Sequence, residues 1–370
     1  MSWNPGVPFN DLPDLPPRFD VETRDVLKAT IEARAALAAL DRAAAGMPNP
    51  TVLINAIPLL EAQASSEIEN IVTTTDELFR FAADEARASD PATREALRYR
   101  TALRDGFVTV AERPLTASTA VRVCSTIKSR DMHVRKNPGT FIGNPTTQEA
   151  VYTPPAGEAL LLEKLANWES FIHSDDDLDP LVRMAIAHYQ FEAIHPFDDG
   201  NGRTGRILNI LMLVEAGLLA QPILYLSRYI IRHKATYYAL LGRVTSGGAW
   251  IEWVLFMLEA TRQTAISTLR KIDSIRDLQV ELHETIRATI RGGVNADLLA
   301  LLFEQPYCRI GTVVERCGVS RPTATGWLNA LVEAGVLTDV RRGRDRLFVN
   351  GRFLELLVRD EPDASTGARV

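Results

Sequence analysis

The sequence predicts a mainly α-helical protein with one short β-hairpin and a small, separate helical module at its C-terminus. Three observations carry that expectation. Long stretches rich in Ala, Leu and Arg, such as 21–45 and 250–291, favour helix strongly. Glycine and proline cluster between such stretches, where helices must stop. Only 137–155, NPGTFIGNPTTQEAVYTPP, combines Gly, Pro and Thr with the short strand-prone runs FI and AVY around a turn. At 370 residues the chain exceeds the usual span of one domain, so a large core with at least one smaller module is expected.

Taken in order, residues 1–20 hold five prolines, which remove backbone donors and fix φ, so this segment is expected as an extended arm. A helix follows from Val21 to Ala45 and stops at Gly46, Pro48 and Pro50. A second helix runs from Thr51 to Asn70 with Leu59, Leu60 and Ile68 toward the core, and a third starts at a Thr75 cap. Helices continue over 91–111, 116–130, 157–174 and 180–193, then over 205–217, 234–241 and 250–291. Arg291-Gly292-Gly293-Val294 reads as a hinge before the C-terminal module. The implied division is an arm (1–20), an N-terminal helical region (21–110), a core (111–275), a connecting helix and hinge (276–292), the module (293–360) and a flexible tail (361–370).

Composition excludes more than it assigns. A net charge of −6 argues against coating nucleic acid through bulk charge, although a local basic patch stays compatible with it. Cys124, Cys308 and Cys317 show no metal-ligand spacing and are odd in number, so neither a zinc site nor a disulfide framework is expected. The N-terminus is acidic and proline-rich where a signal peptide needs a basic start and an apolar run, and no stretch reaches the roughly 20 apolar residues of a membrane span. A soluble protein of the reducing cytoplasm, with no membrane partner, is the expectation.

The informative stretch is HPFDDGNGRTGR, His195 to Arg206, between the helical segments MAIAHYQFEAI and ILNILMLVEAGLL. Gly200 and Gly202 allow close approach of backbone to phosphate oxygens, and a helix beginning at Thr204 offers free amides and a positive dipole end to an anion. Arg203 and Arg206 lie three apart, and their guanidinium forks suit phosphate. Asp199 is a hard oxygen ligand suited to Mg2+ (or Mn2+), and His195 accepts a proton near neutral pH. The bland alternative is a helix-start loop whose histidine and arginines satisfy local hydrogen bonds.

These residues resemble the Fic-family active-site motif, His-x-Phe-x-Asp/Glu-Gly-Asn-Gly-Arg-x-x-Arg, at every specified position. The resemblance implies a Fic-type helical core that moves AMP from ATP to a Ser, Thr or Tyr hydroxyl of a protein, itself included. In that pattern His195 is the general base and Asp199 holds the metal. Gly200, Asn201, Gly202 and Arg203 cradle the phosphates, Arg206 grips the γ-phosphate, and Phe197 anchors the loop. Relatives that phosphorylate instead tend to carry lysine where this chain has Gly202, which favours nucleotide transfer.

Ser65-Ser66-Glu67-Ile68-Glu69-Asn70 resembles the family's inhibitory motif, in which Ser65 opens the pattern and Glu69 pairs with Arg206 in place of the γ-phosphate. A subsidiary reading has Glu69 position water for AMP removal. The hairpin resembles the family's flap, which holds a target segment by strand addition with little demand on side-chain sequence. Tyr237-Tyr238 matches a pair lying near the nucleotide base, Tyr238 the more favoured contact, and core packing is the alternative.

From Ala296 the chain reads as three helices with a tight turn at Gly318 and a Ser320 cap, then two strands about Gly343 bearing Arg341, Arg342, Arg344 and Arg346. This resembles a winged helix-turn-helix domain. Either it binds DNA, with Arg321, Thr323, Thr325 and Asn329 in a groove, or it docks protein or forms a homodimer. A DNA-binding regulator with a nucleotide-sensing core is the rival to the enzyme.

Overall fold

The computed structural model describes residues 3–47, 51–82, 85–143, 147, 149–290, 296–342, 345–359 and 361. The arm is not helical, and Leu12 and Leu15 anchor it in the core. Helix α1 (Arg24–Ala45) starts three residues later than expected because the Thr23 hydroxyl caps it, accepting from Val26 N at 3.4 Å. Helix α2 (Thr51–Ile68) runs through Pro58 and ends before Asn70, which turns at φ 60° while Ile71 N donates back to Ser66 O at 3.0 Å. Helix α3 (Thr75–Phe81) is capped by Thr74 rather than Thr75, the Thr74 hydroxyl accepting from Glu77 N at 3.2 Å.

Helix α4 (Pro91–Glu112) is capped by Asp90, and α5 (Ala117–Lys128) by a reciprocal Thr116–Thr119 box. The hairpin is minimal: β1 (Ile142–Gly143) pairs antiparallel with β2 (Ala150–Tyr152), Ile142 opposite Tyr152. Phe141 stays outside the strand, and residues 144–146 and 148, at the hairpin tip, lie outside the described residues. There follow α6 (Glu158–Ile172), α7 (Pro180–Ile194), α8 (Asn201–Glu215), α9 (Leu226–Arg232), α10 (Lys234–Gly247) and α11 (Trp250–Thr289). Three of these differ from the sequence reading: α9 was not anticipated, α10 runs on to Gly247 past the expected end at 241, and α8 begins at Asn201, so the motif's Gly202 and Arg203 sit in its first turn.

Helices α7 and α8 are buried on nearly every side and form the centre of the molecule, with α4, α5 and α6 packed around them. Such helices show little amphipathic patterning because no face meets water. Helix α11, 40 residues and so about 60 Å long, carries α1 along its length and reaches the C-terminal module.

That module contains α12 (Ala296–Glu304), β3 (Tyr307–Cys308), α13 (Ile310–Cys317), α14 (Arg321–Glu333), β4 (Thr338–Arg342), β5 (Asp345–Val349) and α15 (Gly351–Val358). Its sheet has the order β3-β5-β4, all antiparallel, with Tyr307 opposite Val349 and Arg341 opposite Arg346. Strand β3 and helix α15 were not read from the sequence. The expected hinge at 291–294, Gly343, Arg344 and the tail beyond Glu361 lie outside the described residues, as does the Arg342 side chain. Among the described residues no helix is long and apolar enough to cross a membrane.

Candidate active site

The site forms where α7 ends and α8 begins. His195 caps α7 in the left-handed region at φ 50°, uncommon for a residue with a side chain. Its backbone N donates to Phe191 O at 3.0 Å, and its carbonyl accepts from Arg135 Nε at 2.8 Å. Arg135, buried between the histidine and the hairpin, also donates to Pro155 O at 2.5 Å. Nothing in the sequence marked it, because its partners are backbone carbonyls set by the fold. Burial, with the Arg135 charge nearby, lowers the His195 pKa to about 4, so the imidazole is neutral at physiological pH.

Asn201 holds the loop shut from within: its Oδ1 accepts from Phe197 N at 2.8 Å and its Nδ2 donates to Phe197 O at 2.7 Å. The Asn201 side chain is thus engaged with the Phe197 backbone. Phe197 itself is buried against Phe191. Gly200 adopts φ 89°, where an added Cβ would be strained and would lie 3.2 Å from Cys124 Sγ. Together they set the first turn of α8 directly after the end of α7, where a helix's opening amides have no partner within the helix.

The two arginines of the motif are both buried, each beside a carboxylate. Arg203 NH1 donates to Glu95 Oε1 at 2.5 Å and lies 3.7 Å from Asp199. Lys128 Nζ bridges Glu95 at 2.7 Å and Asp199 at 2.6 Å. Burial alone would raise the pKa of both carboxyls, but Lys128 and Arg203 outweigh it and hold them below their ordinary values. Glu95 and Lys128 were absent from the sequence reading, since each lies on a separate helix with no local pattern.

Arg206 faces α2. Its Nε donates to Ser65 Oγ at 2.8 Å, and its NH2 donates to Ser65 O at 2.9 Å and to Glu69 Oε1 at 2.8 Å. Burial works against the Arg206 charge, but Glu69 together with Tyr237, Glu192 and Tyr238 outweighs it and holds the pKa above its ordinary value. Gly202 makes the approach possible, for a Cβ there would stand 2.2 Å from Glu69 Oε1.

Beside these groups opens a cavity of about 490 Å3 lined by Glu69, Glu192 and Tyr238 and by the hairpin residues Ile142, Gly143, Val151 and Tyr152. Tyr238 is 43% exposed, whereas Tyr237 is core, its hydroxyl 2.9 Å from His188 Nε2. Tyr152 OH donates to Ala193 O at 2.8 Å and ties the hairpin to α7. Glu192, one turn before His195, has a buried oxygen with no hydrogen-bond partner, and burial raises its pKa to about 8.

Among the described residues no cluster of three or more His, Cys, Asp or Glu is placed to hold a metal. The half-exposed carboxylate of Asp199 fits an ion such as Mg2+, which takes one or two carboxylates and completes its shell with phosphates and water.

The end of α7 and the start of α8 thus bring together a neutral imidazole and two buried guanidinium groups, each beside a carboxylate, within one motif. The chain matches the Fic/DOC family N-terminal model over residues 27–108 and the Fic/DOC family model over 122–213. It also matches the C-terminal domain of SoFic-like protein adenylyltransferases over 278–353. It belongs to the Fic family. Protein adenylyltransferase fic-1 of Caenorhabditis elegans is 32% identical over 163 residues, covering 40% of this chain and 31% of that protein. Protein adenylyltransferase Fic of Drosophila grimshawi is 31% identical over 156 residues, covering 41% and 30%. The chain thus aligns with under a third of the length of these relatives. A crystal structure of a Fic family protein from Desulfovibrio desulfuricans G20 shares the fold, with a TM-score of 0.58 at 20% identity, covering 91% of this chain and 99% of that one.

Proposed function

We propose that this protein transfers AMP from ATP to a hydroxyl of a protein side chain, and that Glu69 restrains it. The observation that carries the reading is the buried Arg206, paired with Glu69 at 2.8 Å beside the mouth of α8. A cation so buried needs an anion beside it. Glu69 supplies one in the resting protein, and the γ-phosphate of ATP supplies one when Glu69 withdraws.

In the reaction the target oxygen attacks the α-phosphorus, its proton passes to the neutral His195 imidazole, and the bond to the bridging oxygen breaks to release pyrophosphate. Catalysis here rests on positioning and charge stabilisation. The first-turn amides of α8 and Arg203 hold the phosphates, and Arg206 orients the triphosphate. A Mg2+ ion at Asp199 would add charge neutralisation between phosphates. Named relatives are protein adenylyltransferases, which supports AMP as the transferred group.

Thermal melting with and without ATP and Mg2+ tests the exchange of anions. Glu69→Gly leaves Arg206 without its carboxylate, so the variant is expected to melt several degrees below the parent alone and to gain more from ATP than the parent does. An equal ATP-induced shift in both proteins would remove the assignment.

For DNA binding by the C-terminal module the arginines divide, Arg321 and Arg341 being exposed while others are held by neighbouring side chains. Arg346 is bound to Asp339 at 2.8 Å and to Asn329 at 2.8 Å, and Arg316 to Glu304 at 2.7 Å.

A further inference from the structure

The N-terminal arm runs against the hairpin rather than away from it. Phe9 N donates to Thr153 O at 2.9 Å, and Thr153 Oγ1 donates back to Pro5 O at 2.6 Å. The Phe9 ring meets Tyr152 edge-on with centroids 6.4 Å apart, and Ala156 N donates to Asn10 Oδ1 at 2.9 Å. Upstream, Val7 N bonds Asn4 O at 3.2 Å and closes a turn that delivers Trp3 into the wall of the 490 Å3 cavity, beside Ile142, Val151 and Tyr152. The indole N–H there is buried and finds no hydrogen-bond partner. Downstream the arm is fixed: Lys164 pairs with Asp14 at 2.8 Å, and Asn167 exchanges bonds with both Leu15 backbone groups, at 2.8 and 3.0 Å.

We propose that residues 3–9 are a tethered occupant of the groove along the hairpin, and that the partner segment this groove receives is an extended peptide presenting a large aromatic side chain where Trp3 now sits. Two features mark the arm as displaceable. Pro5 and Pro8 have no N–H to give, and among the described residues the arm forms one backbone bond to the hairpin segment, Phe9 N to Thr153 O, where a regular strand would form a ladder. Trp3 holds its place with an unsatisfied N–H, a buried donor left without its bond. Tethering compensates: a segment anchored at Leu12 and Leu15 meets the groove at high effective concentration, so weak contacts suffice to keep it filled. An incoming peptide able to pair along the hairpin and bring its own aromatic ring would replace it.

The proposal rests on the reading that the hairpin holds the target, but its test does not depend on AMP transfer. A fluorescein-labelled peptide of residues 1–10 is titrated by fluorescence polarisation against the full chain, the chain lacking residues 1–8, and the full-length Trp3→Ala/Phe9→Ala double variant. Saturable binding to the latter two, at least tenfold tighter than to the full chain, is expected. The same peptide carrying Trp3→Ala should bind at least tenfold more weakly. Should the shortened chain fail to melt cooperatively, the double variant decides. Equal binding of the two peptides, absence of binding to the double variant, or displacement of the peptide by saturating AMP would overturn the proposal. The last outcome would place Trp3 in the nucleotide's own space. A Glu69→Gly protein that fails to transfer AMP while the peptide result holds would sink the enzymatic reading alone.

Discussion

At the residue scale, Arg206 is the pivot. It donates twice to Ser65 on α2 and once to Glu69 just beyond that helix. A hydrogen bond to a charged donor contributes about 2 kcal/mol, so Ser65→Ala should lower stability by roughly that amount in urea unfolding. Because the same bond holds α2 to Arg206, basal AMP transfer should rise by a small factor, below that of Glu69→Gly. The titrating groups make a second prediction. The His195 pKa lies at about 4, so the acid limb of kcat/KM in a Glu69→Gly background should fall below pH 5 instead of near the ordinary histidine value. An acid limb centred near pH 6.5 would contradict a desolvated histidine. Glu192 runs the other way: its pKa, raised to about 8 by burial, keeps a proton that the unfolded chain releases above about pH 4.5. Between those values the folded state binds more protons, so stability falls as pH rises. Glu192→Gln removes that loss, and its gain over the parent should be greater at pH 8 than at pH 5.5, by about 1–3 kcal/mol in urea titrations.

At the element scale the question is what holds α2 at the correct depth. Glu61, two turns before Glu69, is buried and accepts from Tyr99 OH at 3.0 Å and from Ser227 N at 2.8 Å, with the Ser227 hydroxyl also bonded to it. Helices α4 and α9 thereby grip α2 from either side. Replacing Glu61 by Gln retains the shape but removes one acceptor, which leaves a buried hydroxyl or amide unsatisfied. The expected outcome is a lower melting temperature and raised basal transfer with His195, Asp199 and Arg206 untouched; unchanged transfer in a destabilised protein would show that α2 keeps its depth by apolar packing alone.

Legibility in the sequence followed the same division. The motif could be read because His195, Asp199, Gly200, Gly202, Arg203 and Arg206 are consecutive around one helix start. Glu69 could be read only as part of a family pattern, and the structure brings it to Arg206 from 137 residues away. Glu61, Glu95 and Lys128 were invisible, since their partners come from elements distant in the chain and a lone charged residue on a helix reads as a solvated one; Arg135, in the loop after α5, was invisible because its partners are backbone carbonyls. Helix α9 was missed because its seven residues are too few for periodicity to register. The strand β3, two residues long, gave no alternation at all.

At the scale of the molecule, the C-terminal module is fastened to the same framework. Lys271, on α11 and buried, donates to the carbonyls of Leu356, Leu357 and Arg359 at 2.8, 2.9 and 3.0 Å, closing the C-terminal end of α15. Arg228, the neighbour of Ser227 on α9, donates to Glu361 O. Helix α12 packs on α2, and Tyr307 OH bonds Asp76 on α3. The module therefore touches α2 directly and, through α9, the Glu61 carboxylate that seats it. Lys271→Met should accelerate amide hydrogen exchange across 351–359 while the α7 and α8 amides stay protected, and exchange that remains slow there would show that α15 is held without this clamp. With the arm at one end and the module at another, the core is contacted by both terminal regions of the described chain.

The central claim is that Glu69 and the γ-phosphate compete for Arg206 beside a competent His195. The most direct test is transfer of label from α-labelled ATP with Mg2+ to the protein itself and to proteins of a cell lysate, compared across the parent, Glu69→Gly, and Glu69→Gly/His195→Ala. Incorporation at least tenfold above the parent in the single variant, abolished in the double variant and recovered as covalently bound AMP, is the predicted result. Equal incorporation by parent and Glu69→Gly, or label that persists when His195 is removed, would contradict it.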